Sequence, residues 1–176
     1  MNRRPAIAGV CFLALVAGCG QKTTDAGKGG SSSGAPPAGP AASAPAELSP
    51  EQARAMVASL PAPYNTGDPA SGKAVFARCR ACHSVEQGAP DLVGPNLWGL
   101  FSRKAGSKAG YAYSDAMKSA GFTWDAPHLD AWLTDPRSYR PGTRMSFVGL
   151  KDARDRQDVI AYLKTATEAP PASTPK

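Results

Sequence analysis

A chain of 176 residues with 42% apolar side chains is enough for one domain with extensions and too little for several. Its formal charge of +6 is concentrated, since residues 70–166 hold 14 basic and 9 acidic side chains. A basic surface suits an acidic protein face, an anionic membrane or nucleic acid, and no further feature of the sequence points to nucleic acid.

Residues 1–18 read as a signal peptide. Asn2-Arg3-Arg4 is a positive start, and the apolar run over residues 6–17 is broken by Gly9. That run is short of the ~20 apolar residues that span a bilayer. Val16-Ala17-Gly18-Cys19 resembles the bacterial lipobox: small residues fit a peptidase pocket, and the following thiol can be alkylated. Cleavage before Cys19 leaves a lipid-modified cysteine at the new N-terminus, which implies a mature chain held at the periplasmic side of a bacterial membrane. An uncleaved anchor, or an ordinary signal peptide with a chance cysteine, is the alternative. Cys11 falls in the removed segment.

Residues 19–48 form a tether. From Gly20 to Glu47 the chain is Gly, Ser, Ala, Pro and Thr with a few charges. It cannot bury enough apolar surface to offset its ordering entropy, so it is expected to be disordered. As a Gly/Ser-like coil it spans roughly 30 Å, and its Ala-Pro content extends it further. Residues 49–65 follow as a short helix or stalk. Ser49 caps it, Pro50 opens it, Gln52 completes a capping box, and it stops near Ser59, ahead of Pro61 and Pro63. Whether this helix packs on the domain is left open by the sequence.

The folded domain is expected over residues 66–168, with a disordered Pro-rich tail over 169–176. Asp68 caps a helix over residues 68–80, with Pro69 first and Val75, Phe76 and Cys79 on one face. Short helices are expected over 115–120, ending at Gly121, and over 129–134, ending at Asp135-Pro136. The clearest helix covers 152–165, capped by Asp152, with Val159, Ile160 and Leu163 as its stripe. Glycine and proline are frequent between these elements and no alternating strand pattern occurs. The fold class is mainly α: short helices and long loops that enclose something.

Cys79-Arg80-Ala81-Cys82-His83 says what is enclosed. Cys-x-x-Cys-His is the attachment signature of c-type haem. Two thiols three residues apart on one helical turn can each add across a haem vinyl group, and the imidazole of His83 then faces the iron. A thioredoxin-like redox pair needs a βαβ pattern that is missing. A zinc site needs a second pair of ligands, and the folded domain has no cysteine besides Cys79 and Cys82. The other axial ligand comes from His128, Met56, Met117 or Met145. Pro141-Gly142 breaks any helix and puts Met145 on a loop able to reach the haem, so Met145 is favoured over a packing role. His128, after Pro127 at a helix start, reads as a surface residue.

From residue 67 to 167 the chain resembles class I cytochrome c, of the mitochondrial and bacterial c2-like kind. The resemblance rests on Gly72-Lys73-Ala74-Val75-Phe76, the Cys79–His83 motif, Val93-Gly94-Pro95-Asn96-Leu97, Gly99-Leu100-Phe101-Ser102-Arg103-Lys104-Ala105-Gly106, Tyr111-Ala112-Tyr113-Ser114-Asp115-Ala116, Phe122-Thr123-Trp124, the stretch from Pro141 to Met145, and Ile160-Ala161-Tyr162-Leu163-Lys164. It implies one covalent haem c ligated by His83 and Met145. It implies that the Pro95 carbonyl accepts a hydrogen bond from His83, that Arg103, Tyr113, Trp124 and Thr143 bind the propionates, and that Phe147 shields the haem edge. Tyr139 would lie on the loop leading to Met145. Gly72 would let the first domain helix approach the last at Val159 and Tyr162. Trp132 stands where the family usually has a tyrosine bonded to the methionine sulfur, and Met117 where an asparagine joins the same network. Ser102 for a glycine and Trp98 for a histidine are peripheral departures.

The function implied is a monomeric, membrane-tethered carrier passing one electron at a time from a bc1-type complex to a terminal oxidase or reaction centre. Methionine opposite histidine raises the potential. Arg78, Arg80, Arg137, Arg140, Arg144 and Lys151 would steer acidic partners. A haem peroxidase, or a redox or ligand sensor, acting once Met145 leaves the iron is the alternative. No distal histidine-arginine pair supports the first, and no output domain follows Thr167 for the second. The expectation is a carrier, not an enzyme.

Overall fold

The computed structural model describes residues 48–170. The signal peptide, Cys19, the tether up to residue 47 and the tail from residue 171 lie outside the described residues. Among the described residues there are six helices, in the order α1 (Pro50–Ala58), α2 (Pro69–Phe76), α3 (Asp115–Lys118), α4 (Ala126–Thr134), α5 (Pro136–Tyr139) and α6 (Ala153–Ala166). Single 3₁₀ turns lie at Tyr64–Thr66 and Leu100–Ser102. Among the described residues there is no strand, only one isolated antiparallel bridge between Lys104 and Thr123, in keeping with a mainly α fold.

The caps follow the sequence. At α1 the Gln52 N–H donates to Ser49 Oγ (3.2 Å) and the Ser49 N–H to Gln52 Oε1 (3.0 Å), the reciprocal box that satisfies two orphan donors. Asp68 accepts from the Ala70 N–H at α2, and Asp152 from Arg154 and Asp155 at α6. α1 is part of the folded body: it packs against α6, and Met56, Val57 and the following Leu60 are buried.

Two boundaries differ from expectation. α2 ends at Phe76, not at residue 80. Beyond it the chain tightens into turns, with Cys79 N–H donating to Phe76 O (2.8 Å) and both Cys82 and His83 N–H to Cys79 O (3.0 Å each). α4 begins three residues early because Asp125, not a later residue, caps it by accepting from the His128 N–H at 2.8 Å. The Asp135-Pro136 stop also starts something. Asp135 accepts from Ser138 N–H, and Pro136 opens α5, the position where a missing N–H costs nothing.

The core centres on α6, whose Val159, Ile160 and Ala161 are completely buried; burying one Val or Ile side chain contributes ~1.5–3 kcal/mol. α2 and α6 make the closest helix pair. A Cβ on Gly72 would lie 1.9 Å from the Asp158 carbonyl oxygen and 2.8 Å from Tyr162 Cβ, so glycine is what permits this approach. Asp158, buried on α6, accepts from the Asp68 N–H (2.8 Å) and pairs with Arg154 (3.2 Å), tying the cap of α2 to α6. The contact with Tyr162 agrees with the expectation for Gly72; the backbone it meets is that of Asp158 rather than Val159.

Candidate functional site

The helices and loops enclose a cavity of about 650 Å³, within the range of sites that bury a cofactor. Its floor is apolar: Phe76, Leu97, Leu100, Leu129, Leu133, Val159 and Leu163. Phe76, Val159 and Leu163 are read from sequence as apolar helix faces; Leu129 and Leu133 come from α4, and Leu97 and Leu100 from the loop and 3₁₀ turn before residue 103. Cys79, Cys82, His83, Pro95, Arg103, Tyr113, Trp124, Trp132, Thr143, Met145 and Phe147 all line the same cavity. His128 does not. It stacks on Phe122 with ring centroids 4.4 Å apart and its Nδ1 lies 2.6 Å from Asp125 Oδ1.

His83 is held by its surroundings. Its Nδ1 lies 2.8 Å from the Pro95 carbonyl oxygen, so Nδ1 carries the proton and Nε2 keeps its lone pair. Burial pushes the His83 pKa down, with the Pro95 bond opposing. The imidazole is therefore neutral at physiological pH, the form that binds metal. Gly94 sits against the ring, where a Cβ would fall 2.3 Å from His83 Cε1, and its N–H donates to Cys82 O at 2.8 Å. Cys79 and Cys82 form no disulfide with each other. Burial raises the Cys79 thiol to about 11.

Met145 comes from the loop after α5. Its N–H donates to Thr143 Oγ1 at 3.2 Å, and Gly142 takes φ +89°, open to glycine at no steric cost. Two arginines strap this loop down. Arg140 donates to the Ala116 and Ser119 carbonyls (2.9 and 2.7 Å), and Arg144 to the Ala112 carbonyl (3.1 Å). Arg103 donates to the Trp98 and Asn96 carbonyls (2.9 and 3.1 Å), so its guanidinium also braces the loop carrying Pro95.

Sequence reasoning missed the tie between that loop and residues 104–113. Asp91 accepts from the Asn96 N–H at 2.7 Å and pairs with Lys108 at 2.9 Å, and Tyr111 donates to the Val93 carbonyl at 2.8 Å. The Asn96 N–H, then Lys108, hold the Asp91 carboxyl below the usual carboxylate range. A depressed native pKa adds stability that is fully present above the unfolded value of ~3.9 and lost as pH falls through the native value. Asp91→Asn is therefore expected to lower thermal stability at neutral pH, with the deficit closing as the solution is acidified below ~4; melting curves across pH check it.

The arrangement fits a flat, largely apolar group fixed by two thiols, with a neutral imidazole and a thioether for its metal and a few polar side chains for its charged edge. Over residues 69–167 the chain matches cytochrome c. The chain belongs to the cytochrome c family. It is 50% identical over 102 residues to cytochrome c2 of Rhodomicrobium vannielii, covering 58% of this chain and 82% of that protein. It is 44% identical over 108 residues to cytochrome c of Kluyveromyces lactis (61% and 98%) and 45% identical over 109 residues to cytochrome c2 of Blastochloris viridis (62% and 86%). This cytochrome c binds covalent haem c and is a haem electron carrier, and His83 and Met145, both lining the cavity, are the residues that would hold its iron. Bound there, the haem supplies one-electron exchange between ferrous and ferric iron. The chain's part is to keep water out with its apolar lining, hold His83 in one tautomer, and deliver a thioether that raises the potential.

Proposed function

We propose that this cytochrome c is tethered by a lipid on Cys19 to the periplasmic side of a bacterial membrane. There it shuttles single electrons from a bc1-type complex to a terminal oxidase or reaction centre. The observation that supports the shuttle reading is the cavity, which His83 and Met145 both line: with both side chains on the iron, no coordination position is left for a substrate. Arg103, Tyr113, Trp124 and Thr143 serve the propionate edge, and Phe147 shields the edge beside Met145.

Docking uses the rim. Arg78 and Arg144 are exposed and line the cavity, and Arg80, Arg137 and Lys151 are exposed nearby in sequence. Arg140 leaves this set, because its guanidinium is committed to α3 and it is half-buried. Val93, which lines the cavity, is 79% exposed, and Val148, next to Phe147 in sequence, is 83% exposed; exposed apolar side chains together with basic ones suit brief contacts.

Oxidation of the ferrous protein by oxidase-containing membranes is expected to slow about tenfold between 0.01 and 0.15 M salt; a rate indifferent to salt removes the electrostatic docking. The tether has its own test. The full-length protein should partition into detergent with an acylated Cys19 at its N-terminus by mass spectrometry. Cys19→Ala should remain aqueous after signal removal. An unacylated wild-type N-terminus overturns the lipid anchor.

A further inference from the structure

α6 is covered on two sides. Val159 and Leu163, one turn apart, line the haem cavity. Gln157 and Ala161 lie about half a turn round the helix from them, on its outer face. A helix packed on one core leaves such a face to solvent, yet Val159, Ile160 and Ala161 are all completely buried. The outer cover is the chain ahead of residue 69, where the family match begins. α1 packs on α6. Nine residues are too few for a stable helix in water, so α1 is held by packing, through the buried Met56, Val57 and the following Leu60. A Cβ on Gly67 would fall 2.5 Å from the Gln157 carbonyl oxygen and 2.8 Å from Ala161 Cβ, so the chain crosses the outer face there at backbone distance. Between α1 and Gly67 it is bonded turn by turn: Leu60 N–H donates to Val57 O (3.0 Å), Tyr64 N–H to Pro61 O (3.0 Å) and Gly67 N–H to Tyr64 O (3.1 Å). Leu60 belongs to the same apolar core as Phe76 and Ile160, and Tyr64 packs against it. No residue from 48 to 67 lines the haem cavity.

We propose that residues 49–67 are a clasp on the outer face of α6, which makes the preceding chain leave the domain from the side of that helix opposite the haem cavity. The clasp stands on its own packing. Its bearing on reach rests on the reading of residues 19–48 as a membrane tether. With the clasp closed, the free length of that tether ends where α1 begins, and α6 stands between the point of attachment and the haem. The cavity side is then left clear for partners. An open clasp would add residues 48–66 to the free length. The span of a flexible coil grows as the square root of its length, so the reach would increase by about 30%, and the haem would turn without constraint about the attachment. The clasp is therefore what sets both the reach of the carrier and the side it presents.

The test uses the full-length holoprotein carrying Cys19→Ala, so that a fluorophore can be placed on one introduced cysteine, Ala55→Cys, on the exposed face of α1. The haem quenches the fluorophore in a distance-dependent way. A closed clasp holds one distance and gives a single decay lifetime, and an open one gives a spread. Met56→Asp puts a carboxylate where the side chain is buried, which an unpaired charge does not tolerate. It should turn the single lifetime into a spread and speed deuterium exchange over residues 53–60 by about tenfold or more, while the sulfur-to-iron charge-transfer band stays as it was. A spread of lifetimes before Met56 is changed, or a single lifetime that survives Met56→Asp, overturns the clasp. Loss of the band in a Met56→Asp protein that still holds haem overturns its separation from the cavity. None of these readings depends on acylation, so the clasp and the lipid anchor fail separately. If Met56→Asp is not recovered with haem, the labelled parent decides alone: one lifetime with slow exchange over residues 53–60 supports the clasp, and a spread with fast exchange overturns it.

Discussion

Gly72→Ala is expected to destabilise the holoprotein by about 3 kcal/mol or more, at the upper end for overpacking. In an ordinary exposed helix position the same change stabilises by ~1 kcal/mol, because alanine loses less backbone entropy. The two arguments give opposite signs, and geometry decides between them. The new methyl would stand 1.9 Å from the Asp158 carbonyl oxygen and 2.5 Å from its carbon. Backbone, unlike the end of a flexible side chain, cannot swing away. α2 must move off α6, and Asp158 moves with it, loosening its bonds to the Asp68 N–H and Arg154. Because α2 leads directly into Cys79 and α6 supplies Val159 and Leu163 to the cavity, the haem environment should loosen as well. Guanidinium unfolding of the wild type and variant, followed by haem absorbance, measures the shift. A stabilised variant would mean the helices are not in this contact.

The parts of this molecule legible from sequence are those whose chemistry fixes a spacing. Cys79, Cys82 and His83 could be read because two thioethers and an imidazole need that interval, and Met145 because Pro141-Gly142 forces a loop ahead of it. Capping was legible at Ser49, Asp68 and Asp152 because a short oxygen-bearing side chain stands just before each apolar stripe. Residue 125 was overlooked because Pro127 two positions later drew the expected helix start downstream, although proline fits a first turn. The C-terminal end of α2 was overlooked because the apolar face continues to Cys79 while the backbone tightens to serve the thiols. The docking of α1 could not be seen, since its buried face is two residues, Met56 and Val57, too few to show a period. The ties between loops were invisible for a different reason. Asp91 and Lys108 are 17 residues apart and Arg140 lies 21 and 24 residues from the carbonyls it meets. No local pattern encodes such pairs; they exist because the cavity gathers the loops around it.

Met145→Ala is expected to lower the reduction potential by ~0.1 V or more, within the ~0.8 V that axial ligands command, and to abolish the sulfur-to-iron charge-transfer band. The fold should survive the change. The loop keeps its backbone turn at Gly142, and Arg140 and Arg144 still bind the carbonyls of residues 112, 116 and 119. With the thioether gone, the iron gains an open position, and added imidazole should bind far more tightly than to the wild type. Met117→Leu is the necessary comparison, because Met117 is a second thioether, buried on the wall of the same cavity. Held at the end of the short helix α3, capped by Ser114, it contributes packing, so Met117→Leu should keep both the band and tight axial ligation. The two variants separate ligation from apolar environment. Removing Met145 changes the iron's coordination and so changes the band, the potential and imidazole affinity together. Replacing Met117 changes only what surrounds the iron, which shifts the potential slightly and leaves the other two readings alone. If the band instead followed Met117, the loop carrying Met145 would be a cover for the haem edge and α3 would be the ligand-bearing element.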